Sequence, residues 1–508
     1  MSSVNNKRIA KNSLLLYVRM MFMMAVALYA SRVILQTLGV EDFGIYNAVG
    51  GFVAIFAVVS RSLSSAASRF LNFEMGTGNE ERLKKVFSVI LIIHIFLAVL
   101  VAILLESFGL WFVNNQLVIH ENRLAAANWV FQFSVISFGA SLITVPYRAA
   151  VIAHEHMNIF AYIGVSFEIA KLIVCFLLLA SPIDKLVFYA FLLFSIHIVI
   201  CFVYWIYCRF HFPESLFVPV FDRGLYKEIF SFASWNMIGT SSVILKDQGG
   251  TLLLNLFFGP IVNAARAIAI QVQNALLGFV ESFMTAINPQ ITKSYASGDR
   301  DYMMSLIFRG TRFSYYLLLI MCLPILFNTE YILGIWLKSI PDYTVQLVQL
   351  TLILLMTETI SRPLITAQLA TGNIKKYQII VGGLQMLNVP FSYLSLVIGG
   401  SPESILYVAI VLSIIMLISR IHLLKSMIGL EPFKYLKVVI FNLLTVTLSA
   451  LSVPFLLFYI NEKSLLSFLF SIVICVLSSI ISSLFIGCSK KERFFIFSNL
   501  TKIKERLL

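Results

Sequence analysis

Lys246, Asp247 and Gln248 stand together in the middle of an otherwise apolar run at 231–258, and Gly249 and Gly250 follow them directly. Ionisable groups at hydrocarbon depth are costly and by default mark a pathway or a binding site. Two adjacent glycines weaken a helix by roughly 2 kcal/mol against alanine. An interrupted helix beside charges is one way to build a site at a bilayer midplane. Gly249 and Gly250 are therefore expected to break the helix, with Lys246 and Gln248 as candidate substrate contacts and Asp247 as a candidate for ion coupling. The alternative is that Lys246 and Asp247 only neutralise each other. Adjacent side chains point about 100° apart on a helix, so that pairing needs the backbone to open.

Other charges lie inside apolar runs. Arg61 and Glu281 map onto each other under a shift of 220 residues, which makes them candidates for a gate; a static bridge or simple snorkelling are the alternatives. Arg19 and Arg32 lie in the first run, 12–37, and an arginine fork suits a phosphate. Arg32 has the equal alternative of reaching headgroups, which is also the expectation for Arg69 and Arg266 near their helix ends. Glu168 with Lys171, and Glu358 with Arg362, are spaced to neutralise each other on one helix face.

The remaining motifs argue against enzyme chemistry. His94 and His197 are lone histidines, and His154-Glu155-His156 lacks HExxH spacing, so no metal site is expected. The six cysteines have no CxxC spacing and read as small apolar residues. There is no P-loop, nucleotide fingerprint or nucleophile elbow. No catalytic residue, cofactor or ATP-driven step is expected.

The elements that must position these residues follow from composition. The 508 residues are 59% hydrophobic and 12% charged, with a mean hydropathy of +0.90. Apolar runs of roughly 20 residues cross about 30 Å of hydrocarbon as helices, and no period-two alternation points to a barrel. About fourteen runs are expected: 12–37, 45–70, 86–105, 125–146, 159–180, 185–208, 231–258, 261–289, 304–327, 345–367, 377–398, 404–426, 436–460 and 464–487. The net charge of +13 is an orientation signal rather than a nucleic-acid footprint. With the N-terminus inside, about 23 basic residues face in and about 4 (Arg123, Lys185, Lys338 and Lys463) face out, so both termini are expected to be cytoplasmic. The first run is too long for a signal peptide and reads as a retained helix.

The 220-residue shift also places Leu38-Gly39 on Phe258-Gly259 and Gly78-Asn79 on Gly298-Asp299, and a shift of 217 places Pro146 on Pro363 and Ala153 on Ala370. Asn79 and Asp299 are expected helix caps. Each repeat holds six helices, an even number, so the repeat is parallel. The expected fold is all-α: two pseudo-twofold-related six-helix lobes, 1–208 and 231–426, a cytoplasmic linker at 209–230, and two additional helices with a basic tail in 427–508.

The pattern Lys7-Arg8-Ile9-Ala10-Lys11-Asn12 before the first helix, the turn from Leu38-Gly39 to Phe43-Gly44-Ile45-Tyr46, and the 6+6+2 layout resemble a known group. They are similar to the O-antigen and capsule flippases of the multidrug/oligosaccharidyl-lipid/polysaccharide exporter superfamily. That resemblance implies a MATE-like fold in a bacterial inner membrane and alternating access. It further implies transfer of an undecaprenyl-diphosphate-linked oligosaccharide from the cytoplasmic to the periplasmic leaflet. Its expected partners are the lipid-linked oligosaccharide, membrane lipids, a polysaccharide polymerase and a chain-length regulator. The embedded charges fit independently: Arg19, Arg32, Arg61 and Lys246 outnumber Asp247 and Glu281. An ion-coupled drug exporter of this fold should carry acids in its first helix, and this run has none. A membrane polymerase or glycosyltransferase needs a larger extramembrane loop than 106–124.

Overall fold

The computed structural model describes residues 2–54, 56–115, 119–179, 181, 183–337, 340–458 and 465–494. The side chains of Lys7, Arg8, Lys11, Arg32, Phe43 and Asn47, and the basic tail beyond residue 494, lie outside the described residues. Every regular element among them is helical. The first segment holds α1 (Ser2–Ala54), α2 (Ala57–Thr77), α3 (Glu80–Leu104), α4 (Leu110–Asn115), α5 (Glu121–Ala153), α6 (Met157–Leu179) and α7 (Lys185–His211). The second holds α8 (Arg223–Ala296), α9 (Arg300–Phe327), α10 (Thr329–Trp336), α11 (Thr344–Thr359), α12 (Arg362–Thr371), α13 (Lys375–Tyr377), α14 (Gly383–Met386), α15 (Asn388–Val397) and α16 (Ser404–Ile428). α17 (Pro432–Tyr435), α18 (Phe441–Phe458) and α19 (Leu465–Ser482) complete it.

The internal repeat is written in backbone conformation. α1 and α8 each turn at a glycine, Gly39 with φ 81° and ψ 170° and Gly259 with φ 76° and ψ −167°. Gly78 and Gly298 sit at φ 73° and 80°, and Glu155 and Gly372 at φ 60° and 75°. These three pairs fall at the shifts of 220 and 217 found in the sequence. A left-handed φ is free for glycine and strained for glutamate, so Glu155 needs partners that hold it. Asn79 caps α3 as expected, accepting from the Arg82 N–H at 3.0 Å, and Lys85 pairs with Glu81 at 2.6 Å.

Eleven helical stretches among the described residues are long and apolar enough to cross a membrane, and the chain is a multi-pass membrane protein. The described residues of the other three expected runs, 12–37, 45–70 and 231–258, are helical too apart from Phe56, within α1, α1–α2 and the first half of α8. α7 shows the environment plainly. Phe191, Val199, Phe202, Trp205 and Ile206 are exposed along it, an arrangement that water would penalise and lipid would not.

By compactness the chain divides into two units. The first comprises Met1–Ser241 with Asn288–Asp299 and Gly372–Ile374; the second comprises Ser242–Ile287, Arg300–Thr371 and Lys375–Leu508. In the first, Ile45, Val49 and Val53 of α1 pack on Val101 of α3, Val130 and Phe131 of α5 and Leu186 of α7. In the second, α9 anchors the stretch beyond α19. Arg312 donates to the Gly487 carbonyl at 2.9 Å and to Glu492 at 2.7 Å, so the two C-terminal helices are fastened by polar bonds as well as by packing.

Candidate functional site

In the second unit the charges of α8 turn inward. The Lys246 ammonium is 2.7 Å from Glu358 of α11 and 3.5 Å from Asp247, with only 8% of its side chain exposed. Asp247 remains 46% exposed and Gln248 is exposed. Arg266, also on α8 and buried, donates to Thr351 of α11 at 3.1 Å. Lys246 thus sits between two carboxylates, and its first partner comes from another helix rather than from its neighbour in sequence.

The expected helix break at Gly249-Gly250 does not occur. α8 is helical through both residues and leaves helical geometry only at Gly259. Packing supplies the reason: a Cβ on Gly249 would stand 2.6 Å from Val389 Cγ2. The glycine lets α15 approach, and the neighbouring helix stabilises a segment that is weak by propensity.

A break does occur at Ile360-Ser361, between α11 and α12. Pro363 has no N–H for the carbonyl of Thr359 and its ring crowds that turn. Side chains brace the break: Tyr435 donates to the Ile360 carbonyl at 3.3 Å, and Arg420 donates to Ser361 Oγ at 3.1 Å and Tyr377 Oη at 2.8 Å. The break lies between Glu358 and Arg362, so the expected helical pair is not formed. Glu358 pairs with Lys246 and Arg362 pairs with Glu281. Glu281, half of the expected gate, is therefore held within its own unit in this conformation, and Arg61 is exposed.

In the first unit Arg19 is the embedded cation. Its guanidinium lies 4.3 Å over the Phe160 ring, and Gly164 makes the room, since a Cβ there would overlap the guanidinium. Arg19 Nε is buried without a hydrogen-bond partner among the described residues. Arg148, Tyr204 and Glu168 are its electrostatic neighbours, and Glu168 is held by Lys171 at 3.0 Å as expected. Arg69 stacks over Phe70 at 4.3 Å, with Glu228 3.8 Å away, so it is buried in place rather than snorkelling.

One end of this unit is closed by a cluster the sequence did not reveal. Glu155 accepts from Gln290 at 2.6 Å and Lys293 at 2.8 Å, which supplies the hold that its left-handed φ requires. Gly76 lies where a Cβ would meet Lys293 Cα at 2.8 Å. The flanking histidines are occupied: His154 bonds Glu214 and stacks on Phe212 at 4.0 Å, and His156 bonds Tyr207 Oη at 2.7 Å.

With this geometry in view, three comparisons place the chain. No family model matches the sequence. A mutant of the Vibrio cholerae MATE transporter VcmN matches with a TM-score of 0.71 at 15% identity, over 84% of this chain and 98% of that one. A MOP superfamily transporter from Pyrococcus furiosus matches with a TM-score of 0.69 at 13% identity, over 84% and 96%. The fold is that of the MATE and MOP-superfamily transporters. Among curated proteins, the uncharacterized membrane protein EpsK of Bacillus subtilis (strain 168) is 22% identical over 286 residues, 55% of each chain. The chain thus spans about half the length of that relative.

On this MATE fold each unit carries its own buried polar cluster. The first is cationic, with a guanidinium that keeps an unused donor and an aromatic floor. The second is an ion-pair network centred on Lys246 and Glu358. Glu358 was read as the partner of Arg362 and Glu155 only as part of a histidine motif, so the roles they take here were missed. Pro363 was the available signal for the first, and the left-handed turn shared with Gly372 for the second.

Proposed function

We propose that this chain is a flippase for a lipid-linked oligosaccharide, carried on undecaprenyl diphosphate from the cytoplasmic to the periplasmic leaflet of a bacterial inner membrane by alternating access. Both termini are then cytoplasmic, and the products feed surface polysaccharide such as O-antigen or capsule. The observation that carries the reading is Arg19: a guanidinium embedded in an apolar helix, resting on Phe160, with Nε unspent and Arg148 as a second cation nearby. Such a group fits the acceptor oxygens of a diphosphate, whereas a cationic drug would be repelled. Arg32 and Arg61 are the further phosphate contacts, and the exposed Gln248 meets the sugar. Lys246 acts through Glu358 and, with Asp247 and Glu281, forms the coupling and gating set, to which Arg61 is the further gate candidate.

The test is complementation. In a host lacking the gene, Arg19→Ala and Arg61→Ala are expected to abolish surface glycan while the protein remains in the membrane at wild-type level. Normal glycan in both variants removes the site assignment. Drug efflux by the purified chain in vesicles, with no change in glycan, replaces the reading with the drug exporter.

A further inference from the structure

A small cavity of about 20 Å³ lies inside the second unit, bounded by Lys246, Gly250 and Arg266 of α8, Asn388 and Ser392 of α15, and Leu354 of α11. Its volume suits an occupant the size of a water or a halide ion, far below any sugar or lipid headgroup. Two of its walls carry spare donors. Arg266, 5% exposed, and Asn388, 3% exposed, leave Nε and Nδ2 respectively buried without a hydrogen-bond partner among the described residues. Orphaned buried donors are costly, and a guanidinium N–H more so than an amide.

The charges around the cavity set the sign of what fits. Lys246 and Arg266 carry buried cationic side chains, and the half-buried carboxylate beside them, Glu358, already accepts from Lys246 at 2.7 Å. Arg362 and Arg420 also act on Glu358 electrostatically. Asp247, the second carboxylate, is 46% exposed and partly screened by solvent. The lining itself carries two cations and no carboxylate, with unspent donors on Arg266 and Asn388, while Glu358 and Asp247 both face Lys246.

We infer that this cavity is a binding site for one small monovalent anion of halide size, held by Arg266 Nε, Asn388 Nδ2 and the Lys246 ammonium. An anion there would compensate Arg266 as Glu358 compensates Lys246, and would tie α15 to α8 beside Gly249. The site makes no use of the cargo, so it stands or falls apart from the flippase reading.

The experiment uses the purified full-length chain in detergent, with its Tm followed in sodium gluconate, chloride and bromide at constant ionic strength. Chloride and bromide are expected to raise Tm saturably, and gluconate is not. Arg266→Gln should weaken the apparent halide affinity by about tenfold or more, the value of one charge-assisted bond. Asn388→Asp, nearly isosteric, should abolish the response by setting a carboxylate against the ion. It keeps the test decisive if Arg266→Gln fails to fold. A Tm equal in all three salts, or an Asn388→Asp chain that responds as wild type does, overturns the proposal and leaves the cavity to water.

Discussion

At the scale of single residues, two embedded cations have opposite fates. Lys246 is paired, and removing one partner of a buried pair strands the other at a cost of about 3–5 kcal/mol. Lys246→Met is therefore expected to lower Tm strongly, while Lys246→Met with Glu358→Leu recovers most of the loss; a fluorescence-detected melting series checks this. Arg19 keeps Nε without a hydrogen-bond partner among the described residues, and its seat depends on a missing methyl. Gly164→Val should displace the guanidinium from Phe160 and reduce surface glycan at least about tenfold with the protein still in the membrane. That Arg19 is embedded was legible in the sequence, because it stands well inside an apolar run. The partner of Lys246 was not, because Glu358 lies 112 residues away and had a plausible local partner in Arg362. Only the break at Ile360-Ser361 separates those two.

Among elements, the repeat was read correctly and one helix break was misplaced. Leu38-Gly39 over Phe258-Gly259 marked the true turns, because a left-handed residue at a fixed offset survives divergence elsewhere. Gly249-Gly250 has the propensity of a break, but the deciding term is tertiary: α15 packs where a side chain would be. Gly249→Leu should thus cost about 1–3 kcal/mol by overpacking, and Val389→Ala in the same chain should return part of it. A second prediction concerns the start of α7. Burial alone would raise the Asp184 carboxyl. The Arg123 side chain, 2.5 Å away, and the Val187 and Leu186 N–H groups outweigh that and hold it below the usual carboxylate range. A depressed carboxyl stabilises the fold above its ordinary range, and that share is lost as pH falls through the folded value. Asp184→Asn should lower Tm slightly at neutral pH, by less than about 1 kcal/mol for so exposed a pair, and the difference from wild type should vanish in strongly acid buffer. A gap that persists there contradicts the assignment.

For the molecule as a whole, α8 matters most. It leaves the first unit after Ser241 and returns to it at Asn288, where Gln290 and Lys293 hold Glu155. On the flippase proposed above, this hold is expected to release as cargo enters. Glu155→Lys should break the hold and raise the reactivity of a cysteine placed at the buried Ser294, and adding Lys293→Glu should restore protection. The fold class was plain from hydropathy, whereas this closure joins loops and helix ends far apart in sequence and left no local pattern. The most direct test of the central claim is transbilayer movement in proteoliposomes holding an undecaprenyl-diphosphate oligosaccharide. The wild-type chain is expected to equilibrate that lipid between leaflets, and the Arg19→Ala chain, inserted to the same level, is expected to leave it where it was loaded. Equal movement by both, or none by the wild type beside active drug efflux, contradicts the account.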